Sequence, residues 1–202
     1  MIIPILKDTQ TGAFAYSTNM TGVDVQQAKG VCVLTQVTVD TPSAGAFTAA
    51  VTDICTKTAH TMRTGLKVQV STTGALPAGL SASTDYFVIY LTANTFSLAT
   101  TLANAIAGTA IDITDTGTGT HTITPTALAG ATVKLQGSID GSAYADMPIT
   151  GTGDVTVTEP ITASGNLLLN HVDPMVNYMR AVYTLTAGQM TITQTMEVKG
   201  MV

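Results

Sequence analysis

The sequence predicts an all-β protein, a jelly-roll-like β-sandwich with a small β-rich domain inserted at a hairpin tip. Three observations predict it. Short runs alternate apolar and polar residues along most of the chain, broken by Gly, Pro, Asn and Asp, the pattern of strands with one buried face. Only Thr100–Ala107, TTLANAIA, reads as helix, ending at Gly108 in a C′ position. Thr outnumbers the 8 basic and 13 acidic residues together, and its β-branched, weakly polar side chain suits the solvent face of a pleated strand.

The elements follow in order. MIIPILKDTQTG is apolar, then polar, with Pro4 discouraging helix; it reads as an extended arm able to add to a neighbour's sheet edge. Val23 and Val25, then Val31, Val33, Val37 and Val39, give strands on either side of a turn at Ala28-Lys29-Gly30. Thr41–Gly45, TPSAG, leads into a block with its own rhythm. In it Ile111 and Ile113 form one arm of a predicted hairpin, Thr122, Ile123 and Thr124 the other, joined through Asp115–Gly119. Beyond the block, ATVKLQGS sets Val133 and Leu135 against Lys134 and Gln136, and Asp140-Gly141 is a hairpin turn signal. DVTVTEP, NLLLNHVD, YMRAVYTLT and MTITQTMEV follow at the spacing of a sandwich or jelly roll. The expected division is residues 1–39 and 128–202 as a discontinuous sandwich, with 40–127 inserted.

Composition narrows the function. Charged residues are 10% of 202 and mean hydropathy is +0.34, so strand surfaces carry little charge to desolvate when they meet other subunits. No run reaches the length of a membrane helix; the apolar Tyr86–Leu91 has strand length. The N-terminus lacks the basic region and cleavage site of a signal peptide. A net charge of −5 with scattered single Lys and Arg argues against nucleic acid. Absence of Trp makes stacking platforms poor.

No catalytic, cofactor or metal site is expected. His60, His121 and His171 show no metal-ligand spacing, and His60 and His121 read as loop ties. His171 lies near Asp173 with no nucleophile motif beside it, and no GxSxG elbow occurs. Asp112 and Asp115 lack the DxDxDG run of a calcium loop, and TGTGT lacks the GK[ST] ending of a phosphate loop. Cys32 and Cys55 are too few for a disulfide framework and read as reduced, small buried hydrophobes. Met175, Met179, Met190, Met196 and Met201 read as core or subunit-contact residues. Tyr144, Tyr178 and Tyr183 are candidates for lining a shallow sugar site.

Two sets of residues carry a resemblance. The stretch from Val51 to Pro125, with TAHTMRTGLKVQV, LPAGL, DYFVIY, NTFSLA, AGTAIDI and GTGTHT, resembles a small β module of tailed-bacteriophage virion proteins. The flanks, with VCVLTQVTV, TVKLQGSIDGSAYADMPI and SGNLLLNHVDPMVNYMRAVYT, resemble the compact β-sandwich of phage head- and tail-associated structural proteins. The resemblance implies a non-enzymatic virion structural protein, assembled in the host cytoplasm. Its partners would be the major capsid protein or other virion subunits, with no nucleic acid and no membrane. The leading reading is a capsid decoration or cement protein acting as a homo-oligomer. The alternatives are a tail or head–tail connector component and a glycan-binding host-attachment module.

Overall fold

The computed structural model describes residues 2–14, 18–19, 23–24, 30–127, 130–147, 164–172 and 176–201. In chain order these form β1 (Ile2–Phe14), β2 (Thr18–Asn19), β3 (Val23–Asp24), β4 (Gly30–Asp40), β5 (Gly45–Ala49), β6 (Cys55–Thr56), β7 (Lys67–Thr72), β8 (Tyr86–Tyr90) and β9 (Thr95–Ala99). The single helix among them, α1 (Leu102–Ala107), follows, then β10 (His121–Pro125), β11 (Gly130–Ser138), β12 (Ala145–Met147), β13 (Gly165–Val172), β14 (Tyr178–Ala187) and β15 (Gln189–Met201). The protein is all-β. DVTVTEP and Asp173 lie outside the described residues, as does the Ala28-Lys29 part of the expected turn.

Two open antiparallel sheets and one closed barrel result. The first sheet has the order β1-β15-β4-β13 and the second β12-β11-β14-β2, with β3 also on β14. The barrel runs β10-β5-β6-β9-β8-β7 and closes through the β7–β10 pair. All its strands lie between Gly45 and Pro125, while β4 and β11, on either side in sequence, belong one to each open sheet.

The open sheets turn buried faces toward each other. On β11, Ala131, Val133 and Leu135 are buried while Thr132 and Lys134 are exposed, the alternation of a half-buried strand. Met179, Ala181 and Tyr183 of β14, and Met190, Ile192 and Gln194 of β15, are buried as well. The Tyr183 hydroxyl donates to Gln194 Oε1 at 2.9 Å, so one buried hydrogen bond spans from sheet to sheet. The N-terminal arm is extended, as its sequence predicts, but its partner is different. β1 pairs with this chain's own β15 from Ile2↔Met201 to Phe14↔Met190, broken only by an irregularity between Pro4 and Leu6.

The barrel core gathers Phe47, Cys55, Met62, Leu66, Val68, Val70, Leu80, Tyr86, Val88, Phe96, Leu98, Ile113 and Ile123. Helix α1 covers the outer side of the β8–β9 hairpin, where Ile89, Ala99 and Ala105 form a smaller cluster. Thr101 caps it by accepting from the Asn104 N–H, and Gly108, at φ 75°, ends it with its N–H on Ala105 O.

One predicted element is not formed. Ile111 and Ile113 are not an arm of a hairpin with residues 122–124. Strand β10 is bonded to β5 on one side and β7 on the other, so barrel closure leaves it no free edge. The Ile111 N–H instead donates to Leu98 O and that of Ile113 to Asp53 Oδ1, and Ile113 fills the core.

Cys55 is a free thiol with none of its surface exposed, so it is not paired with Cys32. Burial, with a smaller contribution from the Asp53 carboxylate, pushes its thiol up to about 12 from 9.0. The folded chain thus holds this proton more tightly than the unfolded chain, and the resulting stability is complete below pH 9.0 and lost as pH rises toward about 12. Alkylation of the native protein at neutral pH, mapped by peptide mass, should leave Cys55 unmodified, and unfolding should expose it. Rapid native modification would contradict this burial.

Candidate functional site

Sequence reasoning names no site, and the structure shows what its polar side chains do instead. His60 is buried between two non-glycine residues at positive φ, Ala59 at 48° and Thr61 at 52°. Its Nε2 faces the carbonyls of Thr92 at 2.9 Å and Thr95 at 3.2 Å, while Nδ1 accepts the Met62 N–H at 3.1 Å. Carbonyls only accept, so the proton sits on Nε2. The ring packs edge-on to Phe96, with centroids 5.3 Å apart. His60 therefore ties the strained 59–61 turn to the β8–β9 loop from inside the barrel.

His121 opens β10 and is also buried. Its Nε2 donates to Thr116 O and its Nδ1 lies on Thr72 Oγ1, both at 2.9 Å. The TGTGT text is the loop that this ring holds. Gly117 lies at φ 64°, and a Cβ there would come within 2.4 Å of Ala75 O. Both glycines of the motif, Gly117 and Gly119, are required by close packing on residues 74–77. The sequence reading of both histidines as loop ties matches these bonds; for His171 the structure gives the backbone position on β13, opposite Val31.

The turn aspartates hold backbone. Asp115 Oδ1 accepts the N–H groups of Ala78 and Gly117, each at 2.9 Å, and these bonds lower its pKa. Asp112 is exposed. Asp140 accepts from Ser142 N, Ala143 N and Ser138 Oγ, which hold its carboxyl far below the usual carboxylate range.

A repeated device escaped the sequence reading. Lys67 and Gln69 on β7 both reach Asp85, at 3.0 and 2.8 Å. Lys134 and Gln136 on β11 both reach Asp146, each at 2.7 Å. In each case Lys and Gln two apart share the outer face of a strand and hold one Asp of the adjoining segment. Hydrogen bonds, from Gln69 before Lys67 and from Lys134 before Gln136, lower the two carboxyl pKa values. Both pairs are surface-exposed and add little stability. The Lys-Val-Gln and Lys-Leu-Gln spacing puts both side chains on one strand face, but nothing local names the Asp, since Asp140 follows Gln136 before Asp146 does.

The concave site described is a cleft of about 620 Å³ on the barrel's outer surface. Its walls are Thr48, Thr56, Lys57 and Thr58 on one side and residues 116–120 on the other. Thr48 and Thr56 are cross-strand partners. Lys57 carries no ion pair among the described residues. The nearest aromatic rings, Phe47 and His121, lie in the floor at 4% and 5% exposure, so neither offers a face for stacking. Of the candidate tyrosines, Tyr183 is buried, and the Arg180 guanidinium lies 3.9 Å over the Tyr144 ring. Among the described residues no group of three or more His, Cys, Asp or Glu is placed to hold a metal ion.

No protein-family model matches this chain, and neither does any curated protein. Among solved structures, VP17, a capsid protein of bacteriophage P23-77, aligns at a TM-score of 0.22 and 7% identity over 97% of this chain and 99% of that one. The VP16-VP17 complex, a complex of the two major capsid proteins of the same phage, aligns at a TM-score of 0.20 and 9% identity over 96% and 99%. Superpositions at these scores carry no weight for the fold or the function of this chain.

Proposed function

We propose that this chain is a bacteriophage virion structural protein, without enzymatic activity, that decorates the capsid shell as a homo-oligomer. One observation carries the reading. The histidines and aspartates best placed for chemistry are bonded to the chain's own loops, while the outer strand faces present Thr. His60, His121, Asp115 and Asp140 each hold backbone. Exposed Thr48, Thr56, Thr124 and Thr132 lie on strands β5, β6, β10 and β11. Such a surface meets neighbouring subunits at small desolvation cost, and many weak contacts add up on a repeating shell.

The sequence resemblance of both segments to phage virion modules supports the same reading. In it, residues 1–39 and 128–202 form a jelly-roll-like unit and 40–127 an inserted barrel able to contact a neighbour or project outward. A glycan-binding role is less favoured, because the cleft has no exposed aromatic face. A connector role predicts a ring of few copies.

Rebinding tests the proposal. Heads stripped of this protein should take it up again to saturation, at a fixed ratio to the major capsid protein. Failure of the folded protein to bind stripped heads would refute decoration.

A further inference from the structure

The Asp140-Gly141 turn does more than reverse the chain: it carries an apolar residue with no local purpose. Turns favour Gly, Asn, Asp, Ser and Pro, yet Ile139 sits at the start of this one with 74% of its surface exposed. Single exposed apolar residues are ordinary, so the weight comes from what surrounds this one.

The loop is rigid. Asp140 accepts from Ser142 N, Ala143 N and Ser138 Oγ; Gly141 N donates to Ser138 Oγ; and Asn177 Nδ2 donates to Ile139 O at 2.7 Å. Little backbone freedom therefore remains to be lost when Ile139 is covered.

Arg180 stands at the same end of the hairpin. Its Nε and Nη2 both donate to Gln136 Oε1, at 3.1 and 2.9 Å, and its plane lies on Tyr144. It has no carboxylate partner among the described residues, the nearby Asp146 being held by Lys134. The patch thus combines an apolar knob, an aromatic ring and a stacked guanidinium with N–H groups to spare, the residue types that dominate protein interfaces. It also carries the exposed carboxylate of Asp140.

We propose that the Ile139 loop is a self-association surface whose occupant is a second copy of this chain. The patch contains both halves of its own complement, because a two-fold axis would set Arg180 of each copy toward Asp140 of the other with the two Ile139 side chains packed between. This names the surface for the homo-oligomer proposed above and does not depend on a virion location. Head rebinding reports on that location, and self-association in solution reports on this surface.

Sedimentation equilibrium of the full chain across the micromolar to millimolar range tests it. Wild type should self-associate, and Ile139→Asp should weaken association by about tenfold or more. Wild type that stays monomeric throughout, or an Ile139→Asp variant that associates equally well, would overturn the proposal. Should Ile139→Asp fail to fold, Ile139→Cys decides. Mild oxidation should link it into dimers, since the paired Cα atoms must approach within about 7 Å; absence of the link would overturn the proposal.

Discussion

Replacing Phe96 by alanine should lower the free energy of unfolding by about 4 kcal/mol, the middle of the range for aromatic truncation in a packed core. Phe96 is fully buried on β9, whose neighbours are β6 and β8. Its ring packs on Phe47 with centroids 6.2 Å apart and on the buried His60 at 5.3 Å. Truncation would open a cavity in the barrel wall and remove the surface against which the His60 ring is held. The closed hydrogen-bond ladder leaves β9 little freedom to collapse into that space. Urea titration followed by circular dichroism measures the loss, and Phe96→Leu should cost less than half as much. A loss below about 1 kcal/mol for the alanine variant would mean that Phe96 is not central to the core.

Replacing Gln189 by alanine should cost about 1–2 kcal/mol, through three part-buried hydrogen bonds whose partners water can rehydrate only in part. Gln189 begins β15 and has only 1% of its surface exposed. Its Nε2 donates to Asp40 Oδ2 at 2.7 Å and to Thr61 O at 3.0 Å, and its Oε1 accepts the Arg63 N–H at 3.0 Å. One side chain therefore joins the start of β15 and the end of β4 to the loop that enters the barrel. That loop holds Thr61 at φ 52°, a β-branched residue in a region such residues avoid. Two tethers keep it there, His60 from inside the barrel and Gln189 from the open sheet. In the alanine variant the Arg63 amide should exchange its hydrogen at least about tenfold faster, in line with a local loss of this size. Amides in the middle of β7 should keep their protection. Unchanged exchange at Arg63 would show that the tether is not needed.

The strands were legible because burial on one face imposes a period of two, and Val133/Lys134 or Val68/Gln69 show it residue by residue. The short helix was legible from Gly108, where only a residue free of Cβ sits easily at φ 75°. Pairing was not legible. The N-terminal arm reads as extended whichever strand receives it, and only the folded chain selects β15. Closure of the barrel was hidden for the same reason: nothing local in HTITP says that both its edges are taken. Gln189 gave no signal at all, since one Gln after a Gly in a strand-rich tail looks like surface. The cleft is assembled from residues 46–58 and 116–120, two segments brought together only by the β5–β10 pairing.

The copy number of this protein per virion, measured by quantitative mass spectrometry against the major capsid protein, tests the central claim most directly. Decoration of the shell predicts about one copy per capsid subunit, or one per few, because a cement molecule must recur with the lattice it bridges. A handful to a few dozen copies would place the protein in the tail, connector or fibre and would contradict decoration.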